Sequence, residues 1–257
     1  MPPPVPPAGR EKAPSPRPAP SHREPGRYGD GRRVRIGLLG GSFNPAHPGH
    51  RHVAEMALHV LRLDEVWLLV SPGNPLKPRA GMAPFEERLD SARRIADGRR
   101  VIAVDIEARL GLRETERTLS RLRRLFPRAE FVWIMGADNM VQLPRWRRWR
   151  RLARRTPVAV LPRPGYTRRA MHGAAAAALR HHRRPCGALM AEAGREPGAP
   201  APHRPPARHA PWCLVPAREH PASATAIRAL RANATTATSG PSEGSAPAPL
   251  PAAAGAD

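Results

Sequence analysis

At 257 residues the chain is long enough for one sizeable α/β domain with tails, and its 43 Lys and Arg against 21 Asp and Glu leave a net charge of +22. That charge attracts anions such as nucleotides, nucleic acid or acidic lipid, although arginines spread along the whole chain also suit solvated faces. Two cysteines without Cys-x-x-Cys spacing exclude a disulfide framework, no apolar run approaches the ~20 residues that span a bilayer, and no apolar signal core opens the chain. A soluble, cytoplasmic protein is expected.

Residues 1–32 are rich in Pro, Arg and Ser without periodic apolar positions, and are expected to be a disordered extension. Val34 to Leu39 is an apolar run that reads as a buried strand. It empties into Gly40-Gly41-Ser42-Phe43-Asn44-Pro45-Ala46-His47-Pro48-Gly49-His50. A helix is predicted from His50 to Leu61, with Val53, Ala54, Ala57, Leu58 and Leu61 on one face. Val66 to Val70 is a second strand, ending in a Pro/Gly loop that carries Lys77. A helix over 85–96, a strand over Val101–Val104, a helix over 115–126 and a strand over Phe131–Met135 follow. That last strand runs into a loop, Gly136-Ala137-Asp138-Asn139. Helices are predicted over 146–153 and 168–179, with a strand over Val158–Leu161 between them. Residues 181–211 are Pro-, His- and Arg-rich and suggest a long surface excursion. Trp212 to Val215 is a weak last strand, Ser223 caps a final helix to Leu230, and 233–257 is expected to be a disordered tail.

Alternating strands and helices imply a parallel sheet with helices on both faces, one α/β domain over residues 33–232. In such sheets ligands bind beyond the carboxyl ends of the strands. The loops 40–50, 71–77 and 136–139 should therefore meet at one edge.

Gly40 and Gly41 permit close backbone approach and positive φ, and the helix that follows offers N–H groups to phosphate. Neither Gly-x-Gly-x-x-Gly nor Gly-Lys-Ser/Thr is present, so the loop is neither a dinucleotide fingerprint nor a Walker A loop. His47 and His50 could ligate a metal, could cap and pack the helix, or could donate to phosphate oxygens. Glycines, helix start and paired donors together favour the phosphate reading.

The stretch Gly40 to His50 resembles the GGxF(D/N)PxHxGH signature of the HxGH nucleotidyltransferases, and Ala222-Ser223-Ala224-Thr225-Ala226-Ile227-Arg228 is similar to their second signature. Asn74-Pro75-Leu76-Lys77, Trp133 to Asn139, Leu143 to Trp146 and Arg163 to Tyr166 resemble segments of the nicotinate-nucleotide adenylyltransferases within that superfamily. The resemblance covers residues 33 to 232. It implies a Rossmann-like fold and transfer of the adenylyl group of ATP, with Mg²⁺, to nicotinic acid mononucleotide. It assigns His47, His50, Lys77 and Arg228 to catalysis. ATP would be held by Gly40, Gly41, Ser42, Phe43, Gly136, Asp138, Ser223, Thr225 and Arg228, and the mononucleotide by Ser42, Phe43, Lys77, Thr115 and Trp146. No metal-ligating side chains are implied, and no membrane or nucleic-acid partner. The family's Tyr-Thr-x-(D/E)-Thr-Leu turn differs here: Glu114 stands at the Tyr and Arg117 at the acid. Two alternatives remain at this point: a pantetheine-phosphate adenylyltransferase-like enzyme, and a basic nucleic-acid-binding protein.

Overall fold

The computed structural model describes residues 25–26, 28–73, 81–190 and 209–217. Strands β1 (Val34–Gly41), β2 (Glu65–Val70), β3 (Val101–Val104), β4 (Ala129–Gly136), β5 (Val158–Leu161) and β6 (Trp212–Leu214) form one sheet in the order β3-β2-β1-β4-β5-β6. Every pairing is parallel. Strands β2, β3 and β5 are buried along their whole length, because helices cover both faces, and so they read as unbroken apolar runs. Glu65 is the charged exception in β2. Its carboxylate accepts the Trp67 indole N–H at 2.8 Å and the Arg32 guanidinium at 2.7 Å.

Successive side chains divide the core in two. Leu38, Trp67, Phe131 and Trp133 pack on one side with Leu119 and Leu122 of α4 (Thr115–Leu125) and Leu152 of α6 (Trp149–Arg155). Leu39, Leu68, Val132 and Ile134 pack on the other with Ala54, Ala57 and Leu58 of α1 (Pro48–Val60) and Leu89 and Ala92 of α2 (Phe85–Ile95). From β1 the chain winds outward through α1 to β2, then returns to place β4 on the opposite side of β1. The carboxyl ends of β1 and β4 therefore flank a topological switch point, where crevices open in such folds. This is the doubly wound, Rossmann-like arrangement expected from the alternation of elements.

The structure corrects several expected boundaries. Helix α1 begins at Pro48, with extended His47 as its N-cap, so His50 lies one turn inside the helix. Residues 137–139 are not loop but the start of α5 (Ala137–Gln142), which runs into a 3₁₀ turn at Leu143–Arg145. Trp146 lies outside the helix predicted over 146–153. It is extended, and Arg148 in the left-handed region (φ 56°) separates it from α6. The helix predicted over 168–179 is two, α7 (Thr167–Met171) and α8 (Ala174–Ala178), because Gly173 adopts an extended conformation between them. Short helix α3 (Ile106–Arg109) was not anticipated. In the excursion after residue 181, α9 (Cys186–Leu189) returns to the core, with Leu189 buried and the Cys186 and Cys213 thiols 2.7 Å apart. The loop bearing Lys77 and the final helix from Ser223 lie outside the described residues. Among those described, no helix is long and apolar enough to cross a membrane.

Candidate active site

The glycine loop leaves β1 within the sheet: Gly40 and Gly41 are its last two residues, paired with Leu69 and Val70 of β2. The left-handed backbone expected of a glycine falls instead on Phe43, at φ 47°. Gly40 is needed for a different reason. A Cβ there would sit 2.4 Å from Cη2 of Trp133, so only glycine lets that indole pass beneath the strand. Trp133 in turn meets Trp146 edge to face, with centroids 6.2 Å apart. Gly136 is similarly tight, because a Cβ would lie 2.5 Å from Asp138 Oδ1.

Behind the loop, α2 supplies the anchors. Arg88 is buried and donates from Nη1 to the carbonyls of Ser42 and Ser71, each at 2.8 Å, and from Nε to the Ala83 carbonyl at 3.0 Å. Burial pulls its guanidinium below its ordinary pKa. Ser91 Oγ donates to the Phe43 carbonyl and accepts from the Ala46 N–H at 3.0 Å. Asn44 donates to the Gly81 carbonyl at 2.8 Å and accepts the Ala83 N–H at 3.1 Å. The Asn of the signature therefore clamps backbone, and the Phe43 ring is core, 1% exposed, so Phe43 can meet a ligand only through its main chain.

The His47 and His50 rings lie 3.9 Å apart between centroids, tilted by 40°, and the Phe43 ring lies 4.9 Å from His50. The His47 backbone N–H donates to His50 Nδ1 at 3.2 Å. An Nδ1 that accepts leaves the proton of the neutral imidazole on Nε2. That contact orients the His50 ring at the start of a thirteen-residue helix, whose dipole also favours negative charge.

On the other side of the loop lies a cleft of about 210 Å³. The sequence-predicted Gly40, Gly41, Ser42, Thr115 and Trp146 all line it. Gly136 ends β4 and Asp138 lies in the first turn of α5, 3.5 Å from Arg163, and neither is among the residues lining the cleft. Lys77, Ser223, Thr225 and Arg228 lie outside the described residues.

The cleft also contains residues not picked out from the sequence: Ser71, Glu107, Arg113, Trp133, Asn139 and Arg145. Glu107 is the most unusual. It is 6% exposed, accepts the Thr118 hydroxyl at 2.8 Å, and burial pushes its carboxyl from 4.5 up to about 7. The available signal was an acid at the second position after Asp105, just beyond the apolar run Val101–Val104. Ionisation is easier in the unfolded chain, so Glu107 should cost stability as pH rises from 4.5 to about 7, by at most about 3 kcal/mol. Glu107→Gln, which can still accept from Thr118, should therefore gain on the wild type through that interval in denaturant titrations. Parallel stability curves for the two proteins would contradict this.

The Cytidylyltransferase-like family model matches residues 38–230, which takes in both the histidine loop and the distant second signature. A protein of Gluconobacter oxydans named as a probable nicotinate-nucleotide adenylyltransferase is 55% identical over 195 residues, 76% of this chain and 94% of that protein. The chain belongs to the nicotinate-nucleotide adenylyltransferase family. A family member in Gluconacetobacter diazotrophicus is 52% identical over 202 residues, 79% of this chain and 88% of its own length. A solved structure, the nicotinic acid mononucleotide adenylyltransferase of Plasmodium falciparum complexed with NaAD, aligns at TM-score 0.47 and 19% identity over 52% of this chain and 66% of its own. Family membership makes this chain a nucleotidyltransferase.

Proposed function

We propose that the chain transfers the adenylyl group of ATP to nicotinic acid mononucleotide, releasing pyrophosphate and forming deamido-NAD, a step of NAD biosynthesis. The observation that carries this reading is the placing of Thr115 and Trp146 in one cleft with Gly40–Ser42, while the histidine pair stands where the same loop ends. Trp146, braced by Trp133, offers a face for the pyridine ring. A phosphate oxygen of the mononucleotide attacks the α-phosphorus of ATP, and the bond to the β-phosphate oxygen breaks. The attacking oxygen is already anionic, so no general base is required. The protein's work is to align two polyanions and to stabilise charge as it develops.

His50 Nε2–H is the donor assigned to the transferred phosphoryl group, and His47 lies beside it on the phosphates. Gly136 and Asp138 are assigned to adenosine. Lys77, Ser223, Thr225 and Arg228 are assigned to the phosphates on the strength of the signatures alone. Among the described residues no three His, Cys, Asp or Glu side chains converge as a metal cage. Mg²⁺ is proposed to arrive on the triphosphate and to be held by phosphate oxygens. The substrates and the two unbridged thiols suit a reducing, cytoplasmic setting.

The test is pyrophosphate release with ATP, Mg²⁺ and a panel of nicotinic acid mononucleotide, nicotinamide mononucleotide and pantetheine phosphate. Turnover is expected with a pyridine mononucleotide. Turnover with pantetheine phosphate alone, or polynucleotide binding without pyrophosphate release, would replace this reading with another.

A further inference from the structure

We propose that Arg147, tethered to Glu114 across the mouth of the cleft, sets the preference of this enzyme for an acid over an amide on the acceptor ring. This rests on the reading of the cleft as the acceptor site. Glu114 caps the start of α4 beside Thr115, and Arg147 follows Trp146, so the pair joins the two segments assigned to the ring. Arg147 Nη1 donates to Glu114 Oε1 at 2.8 Å. Arg117 Nε approaches Glu114 Oε2 at 3.4 Å. Glu114 and Arg147 both line the cleft, together with Arg113 and Arg145.

A carboxylate at this position would repel an acidic ring if it stood alone. Here two guanidiniums flank one carboxylate, and the trio of Arg117, Glu114 and Arg147 carries one net positive charge. Arg113 and Arg145 add to it. An acid-bearing ring differs from its amide by a full negative charge, and selection between them is a difference of two affinities. The sign of the field at the mouth therefore decides the choice. Glu114 moderates that field and also holds the long, otherwise mobile Arg147 at its edge, which is 65% exposed.

The charge count makes the test directional. Removing Arg147 takes the trio from one positive charge to none, whereas removing Glu114 takes it to two. The experiment measures kcat/KM for nicotinic acid mononucleotide and for nicotinamide mononucleotide with the full chain and saturating ATP. Arg147→Gln should lower the acid-to-amide ratio by roughly tenfold, and Glu114→Gln should raise it by several-fold, as expected for one charge near a partly solvated site. The double variant should return near the wild-type ratio. Arg147→Lys, which keeps the charge, should hold the ratio within about threefold. An unchanged KM for ATP is the control for intact folding. If the pair were merely a structural tie, both single variants would move the ratio together or leave it unmoved, and either result overturns the inference. A wild-type enzyme inactive on both nucleotides would instead remove the underlying reading of the cleft.

Discussion

His50→Ala should lower kcat by at least ~100-fold, about 2.7 kcal/mol of transition-state stabilisation, which is the scale of losing one preorganised donor. The argument rests on direction as much as on identity. Nδ1 accepts the His47 N–H at 3.2 Å, and that contact orients the ring. In the ground state the α-phosphate carries less charge near that donor than in the transition state, so KM for ATP should change far less than kcat. Because His50 also closes the start of α1, the variant should lose some stability, in the ~0.5–2 kcal/mol range of a broken helix cap. His50→Gln separates the two roles. An amide oxygen can accept the His47 N–H, so stability should recover while the rate stays low. Near-normal kcat in His50→Ala, measured by pyrophosphate release, would assign the residue to structure alone.

Arg88→Met should unfold the protein more readily by roughly 3–5 kcal/mol, the cost of stripping a buried charged donor from its partners. Three carbonyls, those of Ser42, Ser71 and Ala83, lose their donor at once inside the fold. For a domain of this size that corresponds to a fall in Tm on the order of 6–20 °C. The loss should not be confined to stability. Ser42 and Ser71 are the first residues beyond β1 and β2, and both line the cleft, so activity measured well below the new Tm should also fall. Arg88→Lys tests the geometry. It keeps the charge, but an ammonium cannot reproduce the fork that reaches three acceptors, so less than half of the lost stability should return. Thermal melts of the three proteins decide the matter. A Tm within a degree or two of the wild type for Arg88→Met would show that water satisfies the carbonyls.

The sheet was legible in the sequence because its strands are built on apolar runs buried on both faces: Val101–Val104 and Val158–Leu161, which carry no polar residue, match the observed strands residue for residue. The loop from Gly40 to His50 stood out in the sequence because glycines, prolines and paired histidines follow an apolar strand, although its left-handed residue is Phe43 and not a glycine. What escaped depended on single backbone choices or on distant partners. Nothing in the alanine-rich run from 168 to 179 marks Gly173 as a break rather than a tolerated glycine. Trp146 has helical spacing with Trp149 and Leu152, yet Arg148 takes a left-handed φ and leaves it at the cleft wall. Arg88 looks like one more solvated arginine among 43 Lys and Arg, and only the folded chain brings Ser42 and Ser71 within its reach. Glu114 looked like an electrostatic fault at the turn, and its correction, Arg147, stands 33 positions away.

Phe43 restricts how the loop between β1 and α1 moves. A glycine in the same left-handed turn would let the loop open and close by local rotation. Phe43 ties that turn to a ring buried beneath His50 and against Gly41. The loop cannot leave this shape without drawing an aromatic side chain out of the core, so its opening belongs to the cooperative unfolding of the domain and not to independent loop motion. Substrates therefore meet a surface whose ordering entropy was already spent when the chain folded.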